Sequence, residues 1–509
     1  MTQYIILKEI KLKILDLRFI ISTIIVLLLV VFSVTILSEN YLKEVANYQT
    51  ALKDDETELQ QVQVFSFLEP KVHYPPNPLS IFNTGITGRI NKTVTISYNT
   101  VPRQSPEVIS ENPLLKIYHH FDLTTVFRLV LSLLAIILVY DSFSGEKEAG
   151  TLGLMLSNGV KRRHILIAKF ISSTLILIIP ILLSFLLSLV LITGMGGITF
   201  SGVQWLRIGL IMLSTVVFLA FFIALGILIS SSTVKSSVSI ILLISLWVIL
   251  CVIQPNLGSY IASAAIQIPS NKTLENAYAE NWNQFAVQKQ SILDQIQKKI
   301  PPGLKNGNMA MVRDEHRYVV FDGTTPLLME FLFRTLEIEP LRHEYVQKEW
   351  DIYRQKYLPG LENQQNLQNT IEYFSPANLF QSAAASISQT DVAHYDHFLN
   401  SARTYRSTLM AYLKNDRKLF SENAHEYFTR LDREEFKNSQ YESREKLNAD
   451  HRWSNTPPLD LSGIPKYSFH SAPLSGTINT VLIKLFLLLA YTVTLFMVAA
   501  GRIKKYDVR

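Results

Sequence analysis

Long apolar runs dominate the pattern of hydrophobic and polar positions along this chain. Residues 19–38, 170–206 and 208–234 contain no Asp, Glu, Lys or Arg. A helix rises 1.5 Å per residue, so roughly 20 apolar residues cross a hydrocarbon core of about 30 Å. The pattern therefore predicts six membrane-spanning helices, at 19–39, 123–140, 170–193, 207–229, 235–254 and 478–500.

Two long polar segments lie between these runs. Residues 40–122 open with a polar helical stretch and continue into an alternating Thr, Val and Ile run at 86–98, which predicts a short strand pair. Residues 255–475 show apolar residues at three-to-four spacing and form a segment large enough for its own helical domain. We therefore expect an all-α membrane protein with a large, mostly helical extracytoplasmic domain between helices 5 and 6. A smaller α+β extracytoplasmic element is expected between helices 1 and 2.

The distribution of basic residues predicts the orientation. Lysine and arginine are concentrated in residues 1–18, in the 141–169 loop and in the 501–509 tail. An even number of spans places all three on one side, which the positive-inside rule assigns to the cytoplasm. The net charge of +6 is therefore a topology signal, and no nucleic-acid partner is indicated. Residues 1–18 are expected to form an amphipathic helix at the cytoplasmic surface.

Composition agrees with a membrane protein. Of the chain, 48% is apolar and only 18% is charged, whereas soluble proteins carry about a quarter charged residues. The single cysteine, Cys251, lies in the fifth predicted span, so internal disulfides cannot hold the polar segments together. Arg128 and Lys484 lie near one end of the second and sixth spans, and we expect both to extend toward the interface.

The 141–169 loop carries the most specific chemistry. Glu146, Lys147 and Glu148 supply a charged face, and Gly150 with Thr151 interrupts it before a leucine-rich stretch. One interpretation is a short amphipathic helix on the membrane surface, with its carboxylates directed at water or at a protein. The alternative is an ordinary solvated loop whose basic end fixes the topology. The residues alone leave both open.

This loop resembles that of ABC-2-type permeases, the membrane subunits of one class of ABC transporters. The string DSFSGEKEAGTLGLMLSNGVKRRHILIAKF combines an acidic residue, the S/G-E-K/R-E-x-G-T-L pattern, a basic pair and a lysine before the next span. PPNPLSIFNTG, FSPANLFQSAAASISQTDVAHYDHF and IPKYSF are similar to the subfamily linked to multicopper-enzyme maturation. The loop positions to which the resemblance assigns coupling are Asp141, Glu146, Lys147, Glu148, Gly150, Thr151, Leu152 and Arg162.

The resemblance implies a division of labour between chains. A separate ATP-binding subunit would bind ATP and Mg, and this chain would pair with a second permease copy or a paralogous permease in the bacterial inner membrane. Both termini would be cytoplasmic, and the pair would export or extract a substrate, with a periplasmic or surface partner as a further expectation. The sequence has no G-x-x-x-x-G-K-[ST] string for phosphate binding. We therefore expect a non-catalytic subunit without a cofactor of its own.

Three alternatives remain beside this interpretation. A mechanotransmission complex would relay ATPase motion to the extracytoplasmic domain without moving a substrate, and a sensor or scaffold would need no ATPase. A metal site at Asp391, His394 and His397 would use imidazole and carboxylate ligands. The i, i+3, i+6 spacing carries the third residue around the helix, so packed or interfacial histidines are the favoured interpretation.

Overall fold

The computed structural model describes most of the chain and shows a mainly helical protein. The described residues are 2–62, 68–97, 99–102, 121–157, 160–299, 309–313, 317–322, 326–415, 428–431 and 458–504.

The helices of the first half of the chain include four apolar segments. They are α1 Thr2–Ile14, α2 Leu17–Gln60, α3 Leu123–Val126, α4 Ser132–Ile137, α5 Ser144–Glu148, α6 Thr151–Ser157, α7 Arg162–Met195 and α8 Gly202–Ser232. The second half contributes α9 Ser236–Val248, α10 Gln254–Ala265, α11 Asn271–Lys299, α12 Pro326–Lys356, α13 Leu358–Glu372, α14 Pro376–Ser388, α15 Val392–Asn415 and α16 Leu474–Lys504. Two π-helical stretches join α3 to α4 and α9 to α10, at Phe127–Leu131 and Ile249–Ile253.

Within the described residues, five helices are long and apolar enough to cross a membrane. They are Leu17–Gln60, Arg162–Met195, Gly202–Ser232, Ser236–Ile253 and Ser475–Lys504. The predicted second span is a shorter apolar helix, Leu123–Ile137, interrupted by its π-helical stretch. Multiple apolar helices are thus confirmed, whereas the sixth crossing stays a prediction. The helices share one core that includes Val30, Phe127 and Phe222.

Helix α2 unites the first predicted span with the polar helical stretch that follows it. It runs for 44 residues without interruption, which corresponds to about 66 Å and exceeds the thickness of a hydrocarbon core. Asp16 begins this helix, and its side chain accepts a hydrogen bond from the Arg18 backbone N–H at 3.0 Å. The residues beyond Glu39 therefore continue the span as a rod into the first polar segment.

The sheets are small and lie in the polar segments. Strand β1, Lys71–His73, pairs antiparallel with β2, Thr93–Thr95. The alternating run at 86–98 thus supplies one strand instead of the expected pair, because its first part turns away and donates the Ile86 N–H to Thr390 O at 2.9 Å. A second sheet, not expected from the sequence, contains β3 Met309–Arg313, β4 Arg317–Asp322 and β5 Phe428–Leu431.

Helix α14 packs against two of the apolar helices, α8 and α16, a contact that the sequence did not predict. The Phe380 ring of α14 stacks on Phe218 of α8 with centroids 4.5 Å apart. At the turn between α13 and α14, the Tyr373 carbonyl accepts a hydrogen bond from Tyr491 Oη at 2.9 Å. The small residues of α14 explain this close approach, since the helix contains four alanines and three serines within PANLFQSAAASIS.

Two basic side chains hold α14 in place. Lys484 donates hydrogen bonds to Ser382 Oγ at 2.6 Å and to Ser386 Oγ at 3.3 Å. The ammonium of Lys484 thus binds hydroxyls of α14, and the expectation that Lys484 extends to the interface stays a prediction. Arg207, 2% exposed, donates to the Ile387 carbonyl at 2.7 Å and so satisfies an acceptor at the end of α14.

Candidate functional site

The 141–169 segment forms two short helices, α5 and α6, before α7 begins. Gly150 separates them with a backbone φ of +70°, a left-handed conformation that glycine adopts at little cost. The sequence predicted an interruption of the charged stretch at the same residue, Gly150. The turn sets α6 at a new direction, with Leu152 only 2% exposed and packed into the core of the apolar helices.

Helix α5 is anchored at its first turn by a side chain of α8. The Ser230 hydroxyl accepts the backbone N–H groups of Phe143 and Ser144 at 2.9 and 3.0 Å. These N–H groups precede the first intrahelical bonds and need an external acceptor. Because Ser230 belongs to α8, the start of α5 is attached to the end of that helix.

Glu146 is paired with a buried lysine of α7. Its Oε1 lies 2.7 Å from Lys169 Nζ, and the same ammonium lies 3.0 Å from Glu9 Oε1 on α1. The Lys169 side chain is 3% exposed and that of Glu146 is 21% exposed. Burial raises the pKa of Glu146, and the attraction of Lys169 partly offsets this rise. One lysine therefore joins three elements, α1, α5 and α7.

Lys147 binds the end of α8. Its Nζ donates to the Ser231 carbonyl at 2.5 Å and to the Thr233 carbonyl at 3.0 Å. The last carbonyls of a helix lack intrahelical donors and carry partial negative charge, so an ammonium is favourable there. Burial lowers the pKa of Lys147.

Glu148 binds the beginning of α9. Its Oε2 accepts the Ser236 backbone N–H at 3.1 Å and the Ser236 hydroxyl at 2.6 Å. A carboxylate at a helix N-terminus meets unpaired N–H donors and the positive end of the helix dipole. These two hydrogen bonds hold the pKa of Glu148 below its ordinary value.

Three consecutive side chains, Glu146, Lys147 and Glu148, thus bind three different apolar helices; we call them the charged triplet. The expectation of a freely exposed charged face is wrong for Glu146, whose carboxylate points to Lys169 inside the molecule. Glu148 is exposed but is also hydrogen-bonded to the chain. Through these contacts, a displacement of α5 would move α7, α8 and α9 together.

The solvent-facing part of the segment lies just beyond the triplet. Ala149, Gly150 and Thr151 are exposed, and Leu154 is 64% exposed. We call these four residues the exposed turn. A partially apolar protrusion of this kind fits a concave surface on another protein better than a row of paired charges does.

Asp141 and Arg162 bind other parts of the chain. Asp141 Oδ2 lies 3.9 Å from Arg18 Nη1, with both side chains about half exposed, so the pair adds little stability. Arg162 donates to the carbonyls of Ile503 and Lys504 at 3.0 and 2.6 Å. The predicted basic residue thus holds the end of α16 against the start of α7.

Sequence reasoning missed the partners of the triplet. Glu9, Ser230 and Ser236 lie far from residues 146–148 along the chain, and no spacing rule connects them. Lys13, one turn after Glu9, donates to Ser173 Oγ at 2.8 Å and extends the contact between α1 and α7. Burial lowers the pKa of Lys13 to about 8.

The three candidate metal ligands, Asp391, His394 and His397, are close in sequence but make other contacts. Asp391 Oδ1 accepts the His394 backbone N–H at 3.1 Å, and its Oδ2 accepts the Ser386 hydroxyl at 2.8 Å. His394 is buried, which lowers its pKa to about 4. His397 Nε2 bonds to the His470 carbonyl at 3.0 Å. Asp391 therefore caps α15, and no three metal-binding side chains of the described ranges come together.

Comparisons with known proteins agree with this architecture. A family model described as ABC-2 family transporter protein matches residues 3–496. The chain is 38% identical over 63 residues to the probable ABC transporter permease protein NosY of Stutzerimonas stutzeri, and equally to that of Pseudomonas aeruginosa. Each alignment covers 12% of this chain and 23% of the relative, so the chain spans about a quarter of the relatives it matches. On the family match, which covers nearly its whole length, the chain belongs to the ABC-2 family of transporter proteins, and it is a multi-pass membrane subunit of a kind that is generally non-catalytic.

Proposed function

We propose that this chain is the permease subunit that converts the motion of a separate ATP-binding subunit into movement of its apolar helices. The exposed turn is the surface that the ATP-binding subunit contacts, and the charged triplet transmits the contact. The observation that carries the proposal is the binding of Glu146, Lys147 and Glu148 to α7, α8 and α9.

Two contacts of the triplet reach helix ends, and the third, from Glu146, reaches Lys169 within α7. Lys147 binds the last carbonyls of α8, and Glu148 binds the first N–H of α9. These charge-assisted hydrogen bonds are among the stronger polar contacts in proteins. A push on α5 would therefore displace the junction between α8 and α9 as one unit, with α7 following through Lys169.

Helix α1 is part of the same unit. Glu9 shares Lys169 with Glu146, and the buried ammonium would be left with one counter-charge if either carboxylate moved away. Separating buried partners is costly, because a charge then loses its compensation. We infer that α1 and α5 move together during the ATPase cycle.

The remaining assignments rest on the family resemblance and on the positive-inside pattern. They comprise six spans, cytoplasmic termini, a bacterial inner membrane, and pairing with a second permease copy or a paralogue. ATP and Mg are bound by the partner, and the pair exports or extracts a substrate with a periplasmic or surface partner. The relatives named NosY are probable ABC transporter permeases, which supports this placement.

Co-purification tests the proposal. The tagged chain is isolated from its native membranes in mild detergent, and a P-loop ATPase is expected among the proteins identified by mass spectrometry. Leu154→Asp places a charge on the exposed turn and should remove the ATPase. The matched control is Val287→Asp on α11, which is 72% exposed and should retain it. Absence of any ATPase from the wild-type preparation would favour a sensor or scaffold.

One observation favours a second candidate function, mechanotransmission. Helix α2 runs unbroken from Leu17 to Gln60, and its far part is bound to β1 through the ion pairs of Lys71 with Asp55 and Glu58. A rod of this length can move the first polar segment without a substrate crossing. Three glycines inserted after Ala46 should then abolish ATP-dependent changes in hydrogen exchange at β1 and β2. Unchanged exchange differences would exclude the rod as the relay.

A further inference from the structure

The turn between α14 and α15 has an unusual backbone conformation. It consists of Gln389, Thr390 and Asp391, and we call these three residues the junction turn. Gln389 has a φ of +57°, and within the described ranges it is the one residue other than glycine with a positive φ. A residue with a side chain keeps this left-handed conformation only where the surrounding contacts determine it. The contacts around the junction turn therefore hold a strained backbone in place.

Two of these contacts come from buried cations of the apolar helices. Arg207 of α8 donates to a carbonyl in the last turn of α14 at 2.7 Å. Lys484 of α16 donates to Ser386 Oγ at 3.3 Å, and Ser386 donates to Asp391 Oδ2 at 2.8 Å. The charge of Asp391 attracts both cations, and Glu372 adds a smaller attraction for Lys484. Because a buried cation without a counter-charge is costly, Asp391 keeps α8 and α16 attached to the junction turn.

The first polar segment is attached to the same turn. Thr390 Oγ1 donates to Asn83 Oδ1 at 2.9 Å, and the Thr390 carbonyl accepts the Ile86 N–H at 2.9 Å. Gly85 lies between these two residues with a φ of +49°, and a Cβ atom there would be 2.2 Å from the Thr390 carbonyl oxygen. This close approach leaves no room for a side chain. Residues 83–86 and the junction turn are therefore held together.

Helix α15 continues the junction turn into the second polar segment. Asp391 Oδ1 accepts the His394 backbone N–H at 3.1 Å, which ties the carboxylate to the first turn of α15. Farther along the helix, the Phe398 ring packs against Tyr74 of the first polar segment, with centroids 5.3 Å apart. A displacement of the junction turn therefore reaches α15 directly.

Helix α8 connects the junction turn with the charged triplet. Ser230 binds the start of α5 near one end of α8, and Arg207 binds α14 near the other. At 1.5 Å per residue, these two positions lie about 35 Å apart along the helix axis. No proline interrupts Gly202–Ser232, so a movement imposed at Ser230 is carried along an unbroken helix to Arg207.

We propose that the junction turn is a second coupling point of this chain, where movement of α8 and α16 is passed to α15. Asp391 is its positioning residue, because the same carboxylate attracts both cations and caps α15. This proposal rests on the proposed function, since the ATP-binding subunit supplies the movement of α8. It adds the place at which that movement leaves the apolar helices for the polar segments.

Hydrogen exchange of the purified permease–ATPase complex tests the junction turn. A slowly hydrolysed ATP analogue with Mg should change the exchange of Val392–Asn415 in the wild type. Asp391→Asn should abolish this difference, because it removes the charge that the two cations share. Ser386→Ala removes only the bridging hydroxyl and should reduce the difference. Both variants should keep the wild-type amount of ATP-binding subunit and the wild-type differences in α5 and α6, which a general loss of structure would not allow.

Ser388→Ala is the matched control. Ser388 Oγ is buried near Ser386 in the same helix but has no hydrogen-bond partner among the described residues, so this variant should keep the full difference. Three results would overturn the junction turn alone: no ATP-dependent difference over α15 in a wild type that binds the ATPase, a difference that survives both Asp391→Asn and Ser386→Ala, or an equal loss in Ser388→Ala. Absence of the ATPase from the wild-type preparation would overturn the proposed function as well.

Discussion

At the scale of single residues, the buried cations determine how the helices near the 141–169 segment associate. Lys169 is neutralised by two carboxylates, whereas Lys13 has a hydroxyl partner at Ser173. Burial without a close counter-charge disfavours the charged form of a lysine. The two lysines therefore contribute to stability in opposite ways.

Lys13 predicts a specific pH dependence. Its pKa falls from 10.5 to about 8 in the folded protein, so the unfolded state binds more protons between these values. Stability should then rise as pH increases from about 8 toward 10.5, because the penalty of the buried charge is removed. The melting temperature of the wild type, relative to Lys13→Met, should increase between pH 7.5 and 9.5. Parallel pH profiles of the two proteins would contradict this assignment.

Glu146 provides a second residue-scale prediction. Glu146→Gln leaves Lys169 with Glu9 alone and should lower the free energy of unfolding by about 1.5–3 kcal/mol, the range for a hydrogen bond to a charged group. Glu9→Gln should cost a similar amount. The double variant should cost more than the sum of the two, since Lys169 would then be buried without any counter-charge. Denaturation in detergent measures this, and additive losses would indicate that the carboxylates do not share the lysine.

At the scale of elements, Gly150 sets the direction of α6 relative to α5. A methyl group at Gly150 would meet no atom within 4 Å, so its left-handed φ is the only obstacle to substitution. Gly150→Ala should therefore destabilise the protein by about 1–2 kcal/mol. Gly194→Ala, within α7 and also without neighbours at 4 Å, should stabilise it slightly. Equal shifts in melting temperature for both variants would refute this role of Gly150.

Helix α14 yields a prediction about local stability. Lys484→Met removes the ammonium that binds Ser382 and Ser386, and Lys484→Arg keeps a donor there. Hydrogen exchange over Pro376–Ser388 should accelerate in the methionine variant and much less in the arginine variant, because the helix loses its link to α16. Equal exchange in both would mean that apolar packing, including the Phe218–Phe380 stack, is sufficient.

The sequence predicted the elements with strong periodicity and missed those that depend on distant partners. The apolar helices and the break at Gly150 follow from local composition. The position of α14 beside the apolar helices does not follow from local composition. Its sequence, PANLFQSAAASIS, mixes small apolar and polar residues as a surface helix does, and only the contacts with Lys484 and Phe218 reveal where it lies. The strand at Thr93–Thr95 was expected, but its partner lies across three prolines.

At the scale of the whole molecule, one set of polar contacts links the termini to the apolar helices. Glu9 of α1, Arg162 of α7 and the final carbonyls of α16 all lie at the same end of the bundle as the charged triplet. Family membership was predictable from the loop string, whereas the roles within that string were not. The resemblance identified Glu146 and Glu148 as coupling candidates, and only their partners in space indicate that they bind helices of this chain.

The most direct test separates contact from transmission in the purified complex. ATPase activity and subunit stoichiometry are measured together in nanodiscs for the wild type, Leu154→Asp and Lys147→Met. The account predicts that Leu154→Asp loses the ATP-binding subunit. Lys147→Met should keep it at wild-type stoichiometry but lower permease-dependent stimulation by about tenfold, as loss of a charged hydrogen bond implies. Loss of the subunit from Lys147→Met, or full stimulation in that variant, would contradict the assignment of the charged triplet to transmission.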